Sequence, residues 1–243
     1  MQNRIRINKY LSLCGLGSRR KTEEYILSGR IKINGRVNKT LHLIVDADND
    51  TVELNNKKIT PASERFYIIL NKPRGYITSS IDDRGREIVM DLIPDRYKRA
   101  AVFPVGRLDM DTEGLLLLTN DGNLAYSLTH PKFGIKKEYI VHLDKPLTAQ
   151  DKHKIEKGVR IDGFRTNPAK IELSDKSDKS LKITIAEGRK RQIRLTFNSL
   201  DYKVKSLKRI AFGTLRLGML KTGEYRNLYY KEIVSLKKSI EGR

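Results

Sequence analysis

Short apolar runs of strand length dominate the sequence after residue 65, and they constrain the fold more than any other feature. The runs are FYIILN, GLLLLT, KEYIVHL, KIEL and LKITIA, with polar and glycine-containing stretches between them. Only a few helical patterns separate the runs. One begins at Thr148, with Asp151 three residues on, and another spans residues 190–199. This arrangement is typical of an α+β fold and not of regular β-α-β alternation.

The first part of the chain predicts a separate small module. Apolar residues from Ile7 to Leu11 recur at helical spacing, and Ser18 is placed to begin a second helix as its N-cap. The sequence IKINGRV then predicts a hairpin with Asn34-Gly35 as a type I′ turn. Residues 60–65 are polar and contain Pro61, which predicts a linker. We therefore expect two domains, 1–62 and 63–243.

Positive charge is concentrated in two parts of the chain. The sequence has 49 Lys and Arg residues against 29 Asp and Glu residues, a net charge of +20. Residues 1–40 carry ten basic and two acidic residues, and residues 186–210 carry eight basic and two acidic residues. Clustered positive charge attracts polyanions, so nucleic acid is the expected partner. An anionic membrane surface is the alternative, but no basic amphipathic helix with large apolar residues supports it.

Several other classes of protein are disfavoured. The longest apolar run, Leu115–Leu118, is far shorter than the ~20 residues of a membrane span. The N-terminal MQNRIRINKY has no apolar signal segment, and the single Cys14 excludes an internal disulfide, so we expect a cytoplasmic protein without membrane contact. The four histidines are scattered, so no metal site is expected. The sequence also contains no phosphate-binding glycine motif.

A loop rich in glycine and charge leads directly into an apolar strand in VFPVGRLDMDTEGLLLLTNDG. This order puts Arg107, Asp109 and Asp111 at the mouth of a rigid element. From the residues alone, the two aspartates are equally typical of turn or capping groups. A metal-dependent nuclease using both carboxylates is another alternative, although side chains two residues apart on an extended strand point to opposite faces.

The same stretch, GRLDMDTEGLLLLTNDG, is very similar to the signature of the RsuA/RluB family of ribosomal RNA pseudouridine synthases. NKPRGYITS (71–79), KKEYIV (136–141) and EGRKRQIRLTF (187–197) resemble further motifs of the family, in the family order. Residues 6–37 resemble the RNA-binding domain named after ribosomal protein S-four. The resemblance implies that residues 1–62 form this module. It also implies a synthase domain over 63–243, with a mixed, mainly antiparallel sheet and a central active-site cleft.

The resemblance also implies an activity, the isomerisation of uridine to pseudouridine without a cofactor. Asp109 matches the catalytic aspartate of the family, and Tyr139 matches the tyrosine that packs on the target base. Arg194 matches the basic residue paired with the catalytic carboxylate, and Arg107 matches the arginine beside the flipped nucleotide. These residue types suit the reaction. A carboxylate can attack or stabilise an oxocarbenium-like carbon, and the uridine must leave its stack to be reached.

RNA contacts are expected on both basic parts of the chain and beside the cleft. With Arg107, the expected contacts are Arg6, Lys9, Arg19, Arg20, Lys21, Lys32, Asn34, Lys72, Arg74, Arg189, Lys190, Arg191, Lys208 and Arg209.

The segment RIAFGTLRLGMLKTGEYRNL (209–228) is similar to the RluB-type large-subunit branch of the family. The resemblance implies that a monomeric enzyme acts on 23S ribosomal RNA, either free or in a ribosomal assembly intermediate. Two alternatives stay open. One is the same reaction on 16S ribosomal RNA, and the other is a non-catalytic ribosome-assembly factor on the same scaffold. The set Asp109, Tyr139 and Arg194 argues against the second alternative.

Overall fold

The computed structural model describes residues 4–62, 64–82, 84–173 and 179–241. The chain divides into two compact units. The first comprises residues up to Phe66 together with Pro94–Phe103, and the second comprises Tyr67–Ile93 and Pro104–Arg243. The domain boundary after residue 62 stays a prediction. No sequence pattern predicts that Pro94–Phe103 joins the first unit. Within the described ranges, no helix is both long and apolar enough to cross a bilayer.

The first unit has the local structure that its sequence predicts. The Ser18 hydroxyl accepts a hydrogen bond from the Lys21 N–H at 3.2 Å and caps the second helix. Asn34 and Gly35 have φ angles of 51° and 79°, which confirms the type I′ turn. The elements of this unit are α1 (Ile7–Leu13), α2 (Arg19–Leu27), α3 (Asp95–Arg99), β1 (Arg4–Arg6), β2 (Ile31–Ile33), β3 (Arg36–Val37), β4 (Ile44–Asp46), β5 (Val52–Leu54) and β6 (Lys57–Lys58).

Two small antiparallel sheets and the first two helices enclose the core of this unit. β1 pairs with β4, and a second sheet has the order β3-β2-β5-β6. The buried core residues are Ile7, Tyr10, Leu11, Ile26, Ile31, Val45 and Val52. The charged side chains of α2 face outward, because Thr22 and Ile26 are the residues that this helix buries.

Among its described residues, the second unit contains one large sheet, a two-stranded sheet, four α-helices and the short 3-10 helices Val89–Leu92 and Pro131–Phe133. Its helices are α4 (Gly122–Thr129), α5 (Ala149–Lys157), α6 (Gln192–Asn198) and α7 (Tyr230–Glu241). The remaining strands of the chain are β7 (Tyr67–Lys72), β8 (Phe103–Pro104), β9 (Glu113–Thr119), β10 (Lys137–Leu143), β11 (Arg160–Ile161), β12 (Phe164–Arg165), β13 (Lys170–Leu173), β14 (Ser180–Ile185), β15 (Val204–Phe212), β16 (Leu215–Arg216) and β17 (Tyr225–Asn227).

The large sheet has the order β13-β14-β10-β15-β9-β7-β17, with β16 beside β15 and β8 beside β9. β15 and β9 run parallel, whereas the β7–β9, β10–β14 and β10–β15 pairs are antiparallel. The predicted mixed, mainly antiparallel sheet is therefore confirmed. All five strand-length runs of the sequence form strands of this sheet. β15 was not predicted, although it is nine residues long.

β9 lies inside the sheet between β7 and β15, and Gly114–Thr119 are all buried. A strand covered on both faces needs apolar side chains in succession, which explains the uninterrupted run of leucines. The rigid strand fixes the position of the turn that precedes it, and this turn carries Asp109.

Candidate active site

The turn before β9 holds Asp109 in a defined conformation. The Thr112 N–H donates to the Asp109 carbonyl at 3.0 Å, which closes a tight turn over residues 109–112. On the other side, the Thr78 hydroxyl donates to the Leu108 carbonyl at 2.7 Å and accepts from the Leu108 N–H at 3.2 Å. The main chain that carries Asp109 is therefore held on both sides of this residue.

Lys72 holds the same turn through hydrogen bonds to its main chain. Its side chain is fully buried, and its Nζ donates to the carbonyls of Asp109 at 3.1 Å and of Thr112 and Pro73 at 2.9 Å. Burial lowers the pKa of Lys72 to about 8, while nearby Asp111 and Asp109 act in the opposite direction. The expectation that Lys72 contacts RNA is wrong, because its three ammonium protons are engaged inside the protein.

A close approach between β9 and β15 also fixes the turn. Gly114 lies opposite Arg209 in the parallel register, with φ of 108°. A Cβ atom built at Gly114 meets the Arg209 carbonyl, so no other residue fits without a shift of the strands. The sheet thus brings the start of β9 against β15.

A cleft of about 630 Å³ opens above this part of the sheet. Asp109 and Tyr139 both line it, and Arg107 is exposed at its edge. Tyr139 is 7% exposed and lies on β10, paired with Ile183 of β14 and Arg209 of β15. Further lining residues come from the loop before α6, and they include Arg189, Lys190 and Arg191. The geometry joins a carboxylate, an aromatic side chain and a basic rim in one space.

Arg194 forms its ion pair with Asp111, whereas the family resemblance implies a pair with Asp109. Its Nε lies 3.2 Å from the Asp111 carboxylate, and its Nη2 donates to the Asp111 carbonyl at 3.0 Å. Its Nη1 donates to the Val204 carbonyl at 3.1 Å. Burial lowers the pKa of Arg194, and the charge of Asp111 opposes this effect. Among the described residues, the carboxylate of Asp109 has no partner within ion-pair distance, although its charge and that of Arg194 still attract each other.

Two further residues of the cleft, Lys137 and Glu187, were not predicted from the sequence. Lys137 lines the cleft two positions before Tyr139, and burial, followed by the charge of Arg209, lowers its pKa to about 8. Glu187 also lines it and accepts from the Gln192 amide at 2.5 Å and from the Asn167 N–H at 2.8 Å. Both residues lie inside the quoted motifs KKEYIV and EGRKRQIRLTF, which is the signal that could have indicated them.

The remaining expected RNA contacts differ in how accessible they are. Arg209 is 2% exposed, donates to the Leu115 carbonyl at 2.7 Å and lies 5.0 Å from the centre of the Phe212 ring. The expectation that Arg209 contacts a phosphate is therefore wrong. Exposed or half-buried positions, where RNA contact stays a prediction, are Arg6, Lys9, Arg19, Arg20, Lys21, Lys32, Asn34, Arg74, Arg189, Lys190, Arg191 and Lys208.

Several of these side chains have partners within the protein, and Asn34 and Arg74 are two of them. The Asn34 amide donates to Asp50 at 2.8 Å, and its oxygen accepts from the Thr51 N–H at 2.9 Å. Arg74 lies 3.5 Å from the carboxylate of Glu113. Asn34 therefore stabilises the hairpin turn first, and an RNA contact at this residue would need its remaining amide proton.

Comparison with known proteins identifies the family. Residues 66–199 match the family model described as RNA pseudouridylate synthase. The chain is 40% identical over 239 residues to an uncharacterised RNA pseudouridine synthase of Aquifex aeolicus (strain VF5), covering 97% of this chain and 95% of that protein. It is 39% identical over 236 residues to ribosomal large subunit pseudouridine synthase B of Bacillus subtilis (strain 168), covering 96% and 95%.

A solved structure has the same architecture over nearly the whole chain. A crystal structure of a pseudouridylate synthase superposes with a TM-score of 0.70 at 32% identity, covering 96% of this chain and 99% of that one. The fold, the order of the motifs and the full-length similarity agree with one another. The chain belongs to the RNA pseudouridylate synthase family, in its RsuA/RluB group, and is an isomerase that acts on RNA.

Proposed function

We propose that the chain isomerises one uridine, or a very few, in 23S ribosomal RNA, with Asp109 as the catalytic carboxylate. The observation that carries the choice of RNA is the 39% identity with the Bacillus subtilis protein named as a large-subunit enzyme, over 96% of this chain. For catalysis, the supporting observation is that Asp109 and Tyr139 line one cleft with a basic rim.

The reaction breaks the N1–C1′ bond of uridine, turns the uracil and forms a C5–C1′ bond. The proton on C5 is lost and N1 gains one, so substrate and product are isomers and no redox partner is needed. An ionised carboxylate at Asp109 serves as nucleophile or stabilises positive charge that develops at the sugar carbon. Lys72 and the 109–112 turn hold this carboxylate in position, because both fix its main chain.

The target uridine leaves the RNA stack to enter the cleft. Tyr139 then supplies an aromatic surface for the base, and exposed Arg107 occupies the gap that the base leaves in the RNA. Arg189, Lys190 and Arg191 contact phosphates beside the cleft, which positions the RNA without encoding its sequence. The N-terminal module, with its exposed Arg19, Arg20 and Lys21, adds a second RNA contact and docks the enzyme on folded RNA.

Mapping of pseudouridines tests the proposal. Ribosomal RNA from cells lacking the protein is treated with carbodiimide and read by primer extension over both the 23S and 16S molecules. We expect at least one 23S stop to disappear, to return with the wild-type chain and to stay absent with Asp109→Asn. A pseudouridine missing from 16S RNA with the 23S pattern unchanged would overturn the choice of substrate.

A further inference from the structure

A second basic pocket lies next to the cleft within the second unit. It has a volume of about 360 Å³ and is formed by the end of α5, the β11–β12 hairpin and the residues that follow α6. All of the titratable side chains that line it are basic or imidazole groups, and they are His153, Lys154, Lys157, Arg160 and Arg165. No function assigned to the chain above uses these residues.

The positive charges of this pocket are held close together. Arg160 of β11 lies directly opposite Arg165 of β12 in the hairpin register. Like charges at opposed positions of a hairpin repel each other and destabilise it. Arg165 cannot swing away freely, because its Nε donates to the Gly158 carbonyl at 3.2 Å and its Nη2 to the Lys157 carbonyl at 3.4 Å. The fold therefore maintains an unfavourable arrangement of cations.

Acidic side chains do not compensate this charge. Lys154 is paired with Asp151 at 2.8 Å. Across the part of the chain that the structure describes, no carboxylate lies within ion-pair distance of Lys157, Arg160 or Arg165. All three are exposed to solvent. An anion that enters the pocket would relieve the repulsion between these cations.

The pocket is joined to the catalytic cleft. Arg165 lines both spaces, so a single side chain forms the boundary between them. Beside it on β12, the Phe164 ring lies 4.0 Å below the guanidinium of Arg189, which also lines the cleft. The hairpin is thus fixed against the rim where RNA phosphates are expected, and a bound strand can pass from one space to the next.

We propose that Lys157, Arg160 and Arg165 form a phosphate-binding site for the backbone of the RNA whose uridine occupies the cleft. This inference rests on the action of the chain on RNA and extends the RNA-binding surface beyond the cleft. Arginine suits the site because its planar guanidinium binds two phosphate oxygens together. The site adds affinity and register along the strand, and it takes no part in the bond-making steps.

The test compares two full-length double variants that each remove two exposed positive charges. Lys157→Gln with Arg160→Gln alters the pocket, and Lys231→Gln with Lys238→Gln alters α7 as the matched control. Binding of transcribed, unmodified 23S ribosomal RNA is measured over a series of salt concentrations. Loss of two phosphate contacts should reduce the slope of log affinity against log salt by about two. At low salt we expect affinity to fall by roughly tenfold with the pocket variant, with KM raised and kcat unchanged.

The variant Lys157→Arg with Arg160→Lys keeps both charges and should restore the wild-type salt slope. An unchanged slope and affinity for the glutamine variant of the pocket would overturn the site, as would an equal loss in the α7 control. The readout is binding, so it is independent of the role of Asp109. The same measurement on 16S RNA separates the two proposals, because a pocket effect seen on 16S RNA alone supports the site and overturns the 23S assignment.

Discussion

Lys72 donates a hydrogen bond from its Nζ to the main-chain carbonyl oxygen of Asp109 across 3.1 Å. The last residue of β7 thereby holds the turn that carries the proposed catalytic carboxylate. An ammonium suits this position, because it has three donors and no acceptor, and several carbonyls of the turn converge on it. The ammonium is fully buried, so these hydrogen bonds also satisfy a charged group that would otherwise lie unpaired in the interior.

Replacement of Lys72 by methionine should damage activity more than it damages RNA binding. Methionine has a similar length but cannot donate to the carbonyls of Asp109 and Thr112, and the turn is then free to move. We expect kcat to fall by at least about tenfold, which is ~1.4 kcal/mol of barrier, with RNA affinity within about twofold of wild type. Single-turnover kinetics and binding measure the two effects, and wild-type kcat in a folded variant would contradict the positioning role.

The pH dependence of stability should also report on Lys72. Its pKa is lowered from 10.5 to about 8 by burial, so between these values the unfolded chain holds a proton that the folded chain has lost. The destabilising effect of the buried charge is full below pH 8 and is lost as the pH rises toward 10.5. The free energy of unfolding should therefore rise with pH in wild type relative to Lys72→Met. Urea denaturation between pH 8 and pH 10.5 measures the free energy of unfolding of both proteins. The same pH dependence in wild type and in Lys72→Met would refute the prediction.

The two aspartates of the turn should behave differently when each is changed to asparagine. Asp109→Asn removes the charge that lines the cleft and should abolish isomerisation while folding and RNA binding survive. Asp111→Asn removes ion pairs with Arg194 and Arg191 on a side chain that is 45% exposed, and it keeps the hydrogen bond from Arg194 to the Asp111 carbonyl. Because exposed pairs contribute only about 0–1 kcal/mol, we expect its activity to stay within about tenfold of wild type. If Asp111→Asn abolished activity and Asp109→Asn kept it, Asp111 and not Asp109 would be the catalytic carboxylate.

Gly114→Ala should be strongly destabilising. The added Cβ would overlap the Arg209 carbonyl, and the φ of 108° disfavours any L side chain. We expect a loss of about 3 kcal/mol or more in the free energy of unfolding, at the upper end of single substitutions. Gly122→Ala in the first turn of α4 is the matched control, because no atom lies within 4 Å of its Cβ position. It should be neutral or stabilising by up to about 1 kcal/mol, and similar losses at both sites would contradict the argument.

Features that depend on residues close together in the chain can be predicted from the sequence alone. The Asn34-Gly35 turn, the Ser18 cap and the five strand-length runs follow from local conformational preference and from the period of apolar residues. The family could also be identified from the sequence, because its motifs are contiguous stretches of residues. These features were predicted correctly because the residues that decide them lie within a few positions of one another.

Features that depend on residues far apart in the chain follow from the packing of the strands. β15 escaped prediction because its half-buried and exposed positions include Lys205 and Lys208, and its pairing with β10 and β9 determines the strand. Lys72 meets its carbonyl partners 37 and 40 residues away, and Arg194 reaches Asp111 across 83 residues. From the sequence alone, a lysine or an arginine is expected to be a cation on the surface. The folded sheet buries Lys72 beside the turn and brings Arg194 against the carboxylate of Asp111. Burial and the choice of partner arise only when the strands assemble.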